Sequence, residues 1–589
     1  MNDENKIQAL IHKLEQGGWA SWIRRLLLVA VVFYVGTLWL FQESGFKGLA
    51  HEKAMEQAQI SREIARGNGF STKMIRPAAL WQFQAKKGAL PMEIIPDTYH
   101  APLNPYINSF FLLLVKKSWL MTQKDLVYIC DKILVAVQLG FFLLAVLVNY
   151  FTAKRLFDKR LALIGTGLLL LCELFWDFSM SGLPQMLMLF LFSGATYVMI
   201  RLVEAHTEMQ PKLRWSAALG ALFGLLALAH GLTLFIFLGA LVFAICFFRP
   251  WGRDAAVILA VCALFYVPWM VRNYRICGSP VGIGWYSGLA QVTGSESKIM
   301  RTMSLDDTLK EITPRNFTLK LRTQLMGQFS DIYRALGSIV VAPVFFLALL
   351  HIFKKPETAL FRWWVLCMWL FAVFGMAVFG LEPYEQYTSP SPVKANDINV
   401  LFIPLMTFYG LAFVLVLWSR LEIYNNLLRY GFVTLLFLIS SLPFIIQFID
   451  LQKLPTGRVQ WPPYVPPSIS MLNTWTRPNE IIMSDMPWAV AWYADRKSLW
   501  VPMTVNDFIT LTDWEHLGGR IIGLYLTPIT GNKPFLAGVV KGEYKAWAPF
   551  ILRQVGSLKD FPLHAMTGME IEKECVFYAD RDRWSAVED

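Results

Sequence analysis

Two glutamates four residues apart, Glu52 and Glu56, open a charged stretch between two oily runs. On a helix, an i, i+4 pair lies on one face. One such carboxylate could act as general base, or hold a metal, for a reacting hydroxyl. The same pair would also suit an exposed helix in which Glu56–Arg62 or Glu63–Arg66 are solvated pairs. Asp97 and His100 stand further on, in the Pro-rich turn before Pro102. They could ligate a divalent metal or hold phosphate and hydroxyl groups, or they could be plain turn chemistry. Arg62, Arg66 and Arg76 share this loop, and Arg272 and Arg275 follow an apolar run ending at Val271. A guanidinium fork matches a phosphate; ordinary anchoring at a membrane surface is the alternative. His230, at a tight turn, reads more readily as a satisfied polar residue than as a ligand.

The elements that must position these groups are oily. Of 589 residues, 55 % are hydrophobic and 16 % charged, whereas a soluble globular domain is about 25 % charged. Aromatic residues reach 14 %, as in interfacial belts. The net charge of +11 sits in short loops between apolar runs, so it reads as topology and not as a nucleic-acid surface. Seven cysteines without CxxC or zinc spacing argue against a disulfide framework.

Apolar runs long enough to cross a bilayer occur at about 25–42, 133–151, 161–177, 183–200, 215–231, 232–248, 255–271, 336–353, 362–380, 399–418 and 430–449. This predicts an α-helical polytopic membrane protein of about eleven spans. Residues 1–24 form a polar segment with an amphipathic start, and Arg24 and Arg25 precede an apolar run without an obvious small-residue cleavage site, which reads as a retained anchor. With the N-terminus cytoplasmic, each short inner loop (153–160, 201–215, 249–254, 354–362 and 420–429) holds more Lys and Arg than Asp and Glu. The expected division is 1–24 cytoplasmic, 25–449 transmembrane with outer loops 43–125, 272–335 and 381–398, and a small extracytoplasmic α/β domain at 450–589. In that tail, 480–485, 498–502 and 520–527 read as strands, and 487–495 and 505–511 as helices. Leu103–Trp119 is apolar and too close to the next run to cross, which suits a helix lying in the interface.

There is no P-loop, no GxGxxG, no HExxH and no GxSxG. The inner loops are too short for a nucleotide-binding domain, so an activated substrate must come from the membrane or from outside. The run centres carry almost no charge, which disfavours a transporter. The polar weight lies on one face, as chemistry at a membrane surface would require.

Three stretches carry a resemblance. Residues 54–72 resemble an acid-containing segment running into an "IAR…GxGF" helix end. His100-Ala-Pro-Leu-Asn-Pro-Tyr106 is similar to an "(H/K)PPLYP" turn. Residues 268–280 are similar to a "PW..RN….G.P" segment closing a span. In this order they resemble the C-type (GT-C) membrane glycosyltransferases, the protein O-mannosyltransferase-like and aminoarabinose transferase-like group.

The resemblance implies transfer of a sugar from a polyprenyl-phosphate carrier to a lipid, glycan or protein acceptor at the outer face of a bacterial-type inner or plasma membrane. A first-loop carboxylate would deprotonate the acceptor, with Glu52 the first choice by register and Glu56 the second. Asp97 and His100 would meet metal or substrate, and Arg62, Arg76, Arg272 and Arg275 would meet phosphate. A divalent ion or positive side chains would stabilise the leaving phosphate. Two departures stand out. Gln185 replaces a later acid of the family, and Asn396-Asp397 replaces a usual Arg. They keep two alternatives open: a catalytically silent assembly or binding protein of the same fold, and a transporter of lipid-linked sugars.

Overall fold

The computed structural model describes residues 34, 36, 46–49, 51–87, 93–248, 252–380, 393–420, 426–453, 465–512, 517–527, 543–554, 561–569 and 575–585. The chain divides into two compact units, residues 1–46 with 447–458 and residues 47–446 with 459–589. In the first unit the described residues are 34, 36, 46 and 447–453. The polar segment 1–24 lies outside the described residues, as do the anchor 25–42 apart from Tyr34 and Gly36, and residues 381–392 of the outer loop expected at 381–398.

Helix α1 (Glu52–Arg66) begins at His51, whose side chain accepts from the Lys53 N–H, and ends at Gly67 with φ +89. Ten of its fifteen residues are buried, so it is a core helix rather than a solvated one. Behind it run β1 (Ser71–Thr72), β2 (Met74–Ile75), α2 (Pro77–Lys87) and β3 (Ile95–Pro96), with β1 and β3 paired antiparallel. Helix α3 (Leu103–Leu112) stops short of the expected Trp119 and tightens into a 3-10 turn to Ser118. It leaves Tyr106, Phe110, Leu113 and Leu114 exposed, the oily face an interfacial helix would present.

Five helices are long and apolar enough to cross a membrane: α4 (Ile129–Leu156), α7 (Gln185–Thr207), α10 (Arg253–Cys277), α12 (Pro356–Phe379) and α13 (Ile403–Arg420). Between them, α5 (Lys159–Leu170) and α6 (Glu173–Ser181) are bent by 52° and would make a sixth as one broken span. Helices α8 (Leu213–Ala229) and α9 (Thr233–Phe247) are shorter, and α11 (Glu296–Arg301) sits in the loop after α10. Among the described residues five or six helices are span candidates by length and composition, and the expected count of about eleven is not confirmed. The run at 336–353 gives no helix of that length. Gly337 at φ +71 and Ser338 at φ +55 turn the chain, Pro343 follows, and the helix left over is Phe345–Ala348. Hydropathy reads oiliness, but a helix also needs every residue in right-handed α geometry. Elsewhere small residues bring helices close. A methyl on Gly220 or Gly224 would lie 2.5 Å from Ile258 O and 2.7 Å from Phe265 Cβ, so this GxxxG pair sets the contact of α8 with α10.

The three strands expected in the tail form, and three more join them: two later in the tail and one from the first loop. Strands β4 (Ile481–Ser484), β5 (Lys497–Trp500), β6 (Ile521–Leu526), β7 (Ala565–Gly568) and β8 (Val576–Ala579) form a sheet whose sixth strand is β2 from the first loop. The order is β2-β5-β4-β6-β8-β7, parallel from β2 to β6 and antiparallel beyond. Ile75, Leu80 and Phe83 of the first loop share one core with Met483, Leu499, Leu524 and Trp547 of the tail. The expected helix at 487–495 is Pro487–Ala489 continued by a π-turn, Val490–Ala494, which closes on Asp495 at φ +55.

Candidate active site

Helix α1 presents Glu52, Lys53, Glu56 and Gln57 toward the turn that follows β3. Asp97 builds that turn: its Oδ1 accepts from the Tyr99 N–H (3.0 Å) and the His100 N–H (2.8 Å). Its Oδ2 lies 3.4 Å from His100 Nδ1. On the other side of the ring, His100 Nε2 lies 2.8 Å from Glu56 Oε2. Arg76, carried between β2 and α2, donates to Glu56 Oε2 at 2.6 Å, approaches Asp97 Oδ2 at 4.0 Å and covers the Tyr99 ring at 4.0 Å. Glu56, Asp97, Arg76 and His100 are all buried.

Buried charges persist only when paired, and here two acids face a guanidinium and an imidazole. Burial alone would raise the Glu56 pKa, but Arg76, Lys53 and His100 outweigh it and hold the carboxyl far below its usual range. Asp97 is lowered in the same way, against burial, chiefly by His100. Burial works against a charged His100, yet Asp97 and Glu56 outweigh it and raise its pKa above the ordinary histidine value. Glu52 differs. Burial pushes its carboxyl up to about 7; Lys53 opposes this, and Glu56 and Glu296 add to it. Among the described residues it makes no hydrogen bond or ion pair. Two neighbouring acids thus titrate far apart, which is how a site separates a fixed charge from a proton acceptor.

A cavity of about 380 Å³ opens beside this cluster. Phe235, Leu238, Tyr266, Trp269 and Phe379 line it with apolar surface from the helices. Lys53, Gln57, His100, His230, Asn273 and Asn396 add polar groups to the lining. The Lys53 ammonium donates to Tyr99 Oη (2.7 Å) and Glu296 Oε1 (2.9 Å), and the Tyr99 hydroxyl also meets Glu296. Gln57 is held by Asn104 (2.7 Å), and Asn104 by Gln138 (3.0 Å), an amide chain that ties α1 through α3 to α4.

The fold therefore brings together Glu52, Glu56, Arg76, Asp97 and His100. Arg272 reaches the same turn but spends its guanidinium on the Asp97 and Phe70 carbonyls (3.0 Å to the latter) and on Trp269, 4.6 Å from the ring. It braces the turn. Arg275, three residues on, is exposed. Arg62 is not brought to the cavity. It donates to the carbonyls of Ala491 and Trp492 (both 2.8 Å) and to Tyr128 Oη (3.0 Å), and pairs with Asp495 at 3.0 Å. Arg66 and Lys73 share that Asp495. This basic trio fastens the first loop to the tail.

Asp131 and Gln185 also have internal roles. Asp131 accepts from Trp492 Nε1 (2.7 Å) and Tyr493 Oη (3.0 Å), and Gln185 donates to Ala395 O (2.6 Å). Among the described residues no group of three or more His, Cys, Asp or Glu is arranged to hold a metal. Glu56, Asp97 and His100 do meet, but Arg76 occupies the cation position between the two carboxylates, so the set does not fit a divalent ion. Sequence reasoning missed Lys53, Tyr99 and Glu296. Lys53 lies four residues before Gln57 on one helical face, which was readable, whereas Glu296 stands 243 residues away with nothing local to mark it.

ArnT from Cupriavidus metallidurans bound to undecaprenyl phosphate superposes with a TM-score of 0.50 at 13 % identity, over 94 % of this chain and 98 % of that one. The Archaeoglobus fulgidus oligosaccharyltransferase in complex with Zn and sulfate gives a TM-score of 0.48 at 14 % identity, over 81 % of this chain; the chain spans 64 % of that protein's length. The archaeal oligosaccharyltransferase AglB in complex with an inhibitory peptide and a dolichol-phosphate gives 0.46 at 14 % identity, over 81 % of this chain and 66 % of that one. No protein-family model and no curated protein matches the chain. At these identities the likeness is one of fold: the chain has the fold of the C-type membrane glycosyltransferases, as the three sequence stretches implied. That fold and its apolar helices make it an integral membrane protein.

Proposed function

We propose that this chain is a membrane glycosyltransferase that moves a sugar from a polyprenyl-phosphate carrier to a hydroxyl-bearing acceptor at the extracytoplasmic face, with its N-terminus in the cytoplasm. The observation that carries the reading is one cavity lined by both apolar and basic groups. Its apolar residues suit a prenyl chain. Lys53 and His100 suit a phosphate, and Lys53 neighbours a carboxyl titrating near neutrality. The solved structure of ArnT with undecaprenyl phosphate supports the choice of carrier.

In this mechanism Glu52 takes the proton of the acceptor hydroxyl. The acceptor oxygen forms a bond to the anomeric carbon. The bond from that carbon to the phosphate oxygen breaks, and the lipid phosphate leaves with the electron pair. Lys53 and His100 meet its charge, fixed in place before the reaction begins. Glu56 is a positioning residue. Already neutralised, it is a poor base but aligns His100 and Arg76. No step is assigned to a metal.

The test follows loss of the sugar-lipid by mass with protein in lipid and a panel of polyprenyl-phosphate sugars. Glu52→Gln should abolish turnover. Normal function with both Glu52 and Glu56 replaced by Gln would instead favour the silent protein of the same fold, which Gln185 motivates. Movement of intact sugar-lipid across the bilayer would favour transport.

A further inference from the structure

Among the described residues lining the cavity there is no aspartate or glutamate; the charged lining groups are Lys53 and His100. The neighbouring acids are already engaged, behind the lining. Glu56 meets Arg76 and His100, Asp97 meets His100, and Glu296 meets Lys53. Glu52 does not line the cavity. The other polar lining residues are neutral. Gln57, Asn273 and Asn396 offer amides, which both donate and accept and so match sugar hydroxyls. His230 Nδ1 accepts from the Leu232 N–H (3.3 Å), which leaves the proton on Nε2 as a donor. A lysine ammonium has three donors, and the hydrogen bonds to Tyr99 and Glu296 use two of them.

Among the described lining residues, an ammonium group entering this space would meet the Lys53 ammonium and the His100 ring and no carboxylate. A site discriminates by leaving the wrong charge desolvated and unpaired as much as by favouring the right one. We infer that the cavity selects a lipid phosphate whose glycosyl group is uncharged or anionic, and rejects one bearing an ammonium, with Lys53 as the phosphate's partner. This rests on the donor reading given above and deepens it.

The experiment compares undecaprenyl phosphate, its glucosyl form and its 4-amino-4-deoxyarabinosyl form as ligands of the full chain in lipid nanodiscs, by competition read in native mass spectrometry. The bare and glucosyl lipids should bind, and the ammonium-bearing lipid should bind at least about tenfold more weakly. Adding a carboxylate should close the gap. Asn396→Asp does so at the cavity wall, and Gln57→Glu does so while keeping the oxygen that accepts from Asn104. Equal or tighter binding of the ammonium form by the wild type overturns the inference, as does a gap that neither variant narrows. If none of the three lipids binds and Lys53→Met behaves like the wild type, the donor reading itself fails.

Discussion

The pH dependence of sugar transfer tests the proposed base most directly. A carboxyl moved from its ordinary 4.5 to about 7 has its charged form disfavoured by ~3 kcal/mol. The group must be ionised to accept a proton, so activity is lost as pH falls through the raised pKa. About a tenth of Glu52 is ionised at pH 6 and about nine tenths at pH 8. The value of kcat/KM should therefore rise about tenfold across that window, while a carboxylate of ordinary pKa would give a flat profile there. A falling limb should follow at higher pH, where His100 loses the proton its two acids hold. The inflection is also steerable. Lys53 lowers the Glu52 pKa and Glu296 raises it, so Lys53→Met should move the inflection up and Glu296→Gln should move it down. The assay is turnover of a polyprenyl-phosphate sugar by mass from pH 5 to 9 at constant ionic strength. A profile flat between pH 6 and 8, or a Glu52→Gln protein within threefold of wild-type kcat, would refute the reasoning.

Other substitutions test the scaffold. Arg76→Met leaves Glu56 and Asp97 buried without their guanidinium and should cost about 3–5 kcal/mol, seen as a large drop in thermal stability in detergent. The wild-type contribution of Glu56, whose folded pKa is depressed, should be complete above its ordinary 4.5 and fade as pH falls below it; a melting temperature unchanged on acidification would contradict this. Asp495→Asn removes the tail carboxylate that Arg62, Arg66 and Lys73 share and leaves Arg66 and Lys73 only Glu63 of the first loop, so limited proteolysis should cut the tail faster than in wild type. Gly282→Ala would set a methyl 1.9 Å from Thr98 O at a φ of +68, displacing the turn that holds Asp97 and His100. It should lower both kcat and stability, whereas Gly327→Ala, with nothing within 4 Å, should do neither.

The sequence alone settled the local questions. The oily runs marked α4, α7, α10, α12 and α13, because a bilayer demands about twenty apolar residues in register. Alternating short runs marked β4, β5 and β6. Glu52, Glu56, Asp97 and His100 were legible as chemistry because they are polar groups close together in sequence and flanked by membrane. The tertiary structure decided what each does. Whether a carboxyl is a base or a fixed charge depends on burial and on partners. Those of Glu56 come from Arg76 and His100, twenty and forty-four positions on. The partner of Lys53 comes from Glu296, on another loop altogether. Arg62 read as a phosphate ligand because nothing local revealed that Trp492 and Asp495, more than four hundred residues away, consume its donors. The strand β2 was hidden for the same reason: two residues carry no periodicity, and only the edge of β5 makes them a strand. Electrostatics and sheet pairing act through space, and chain order records neither.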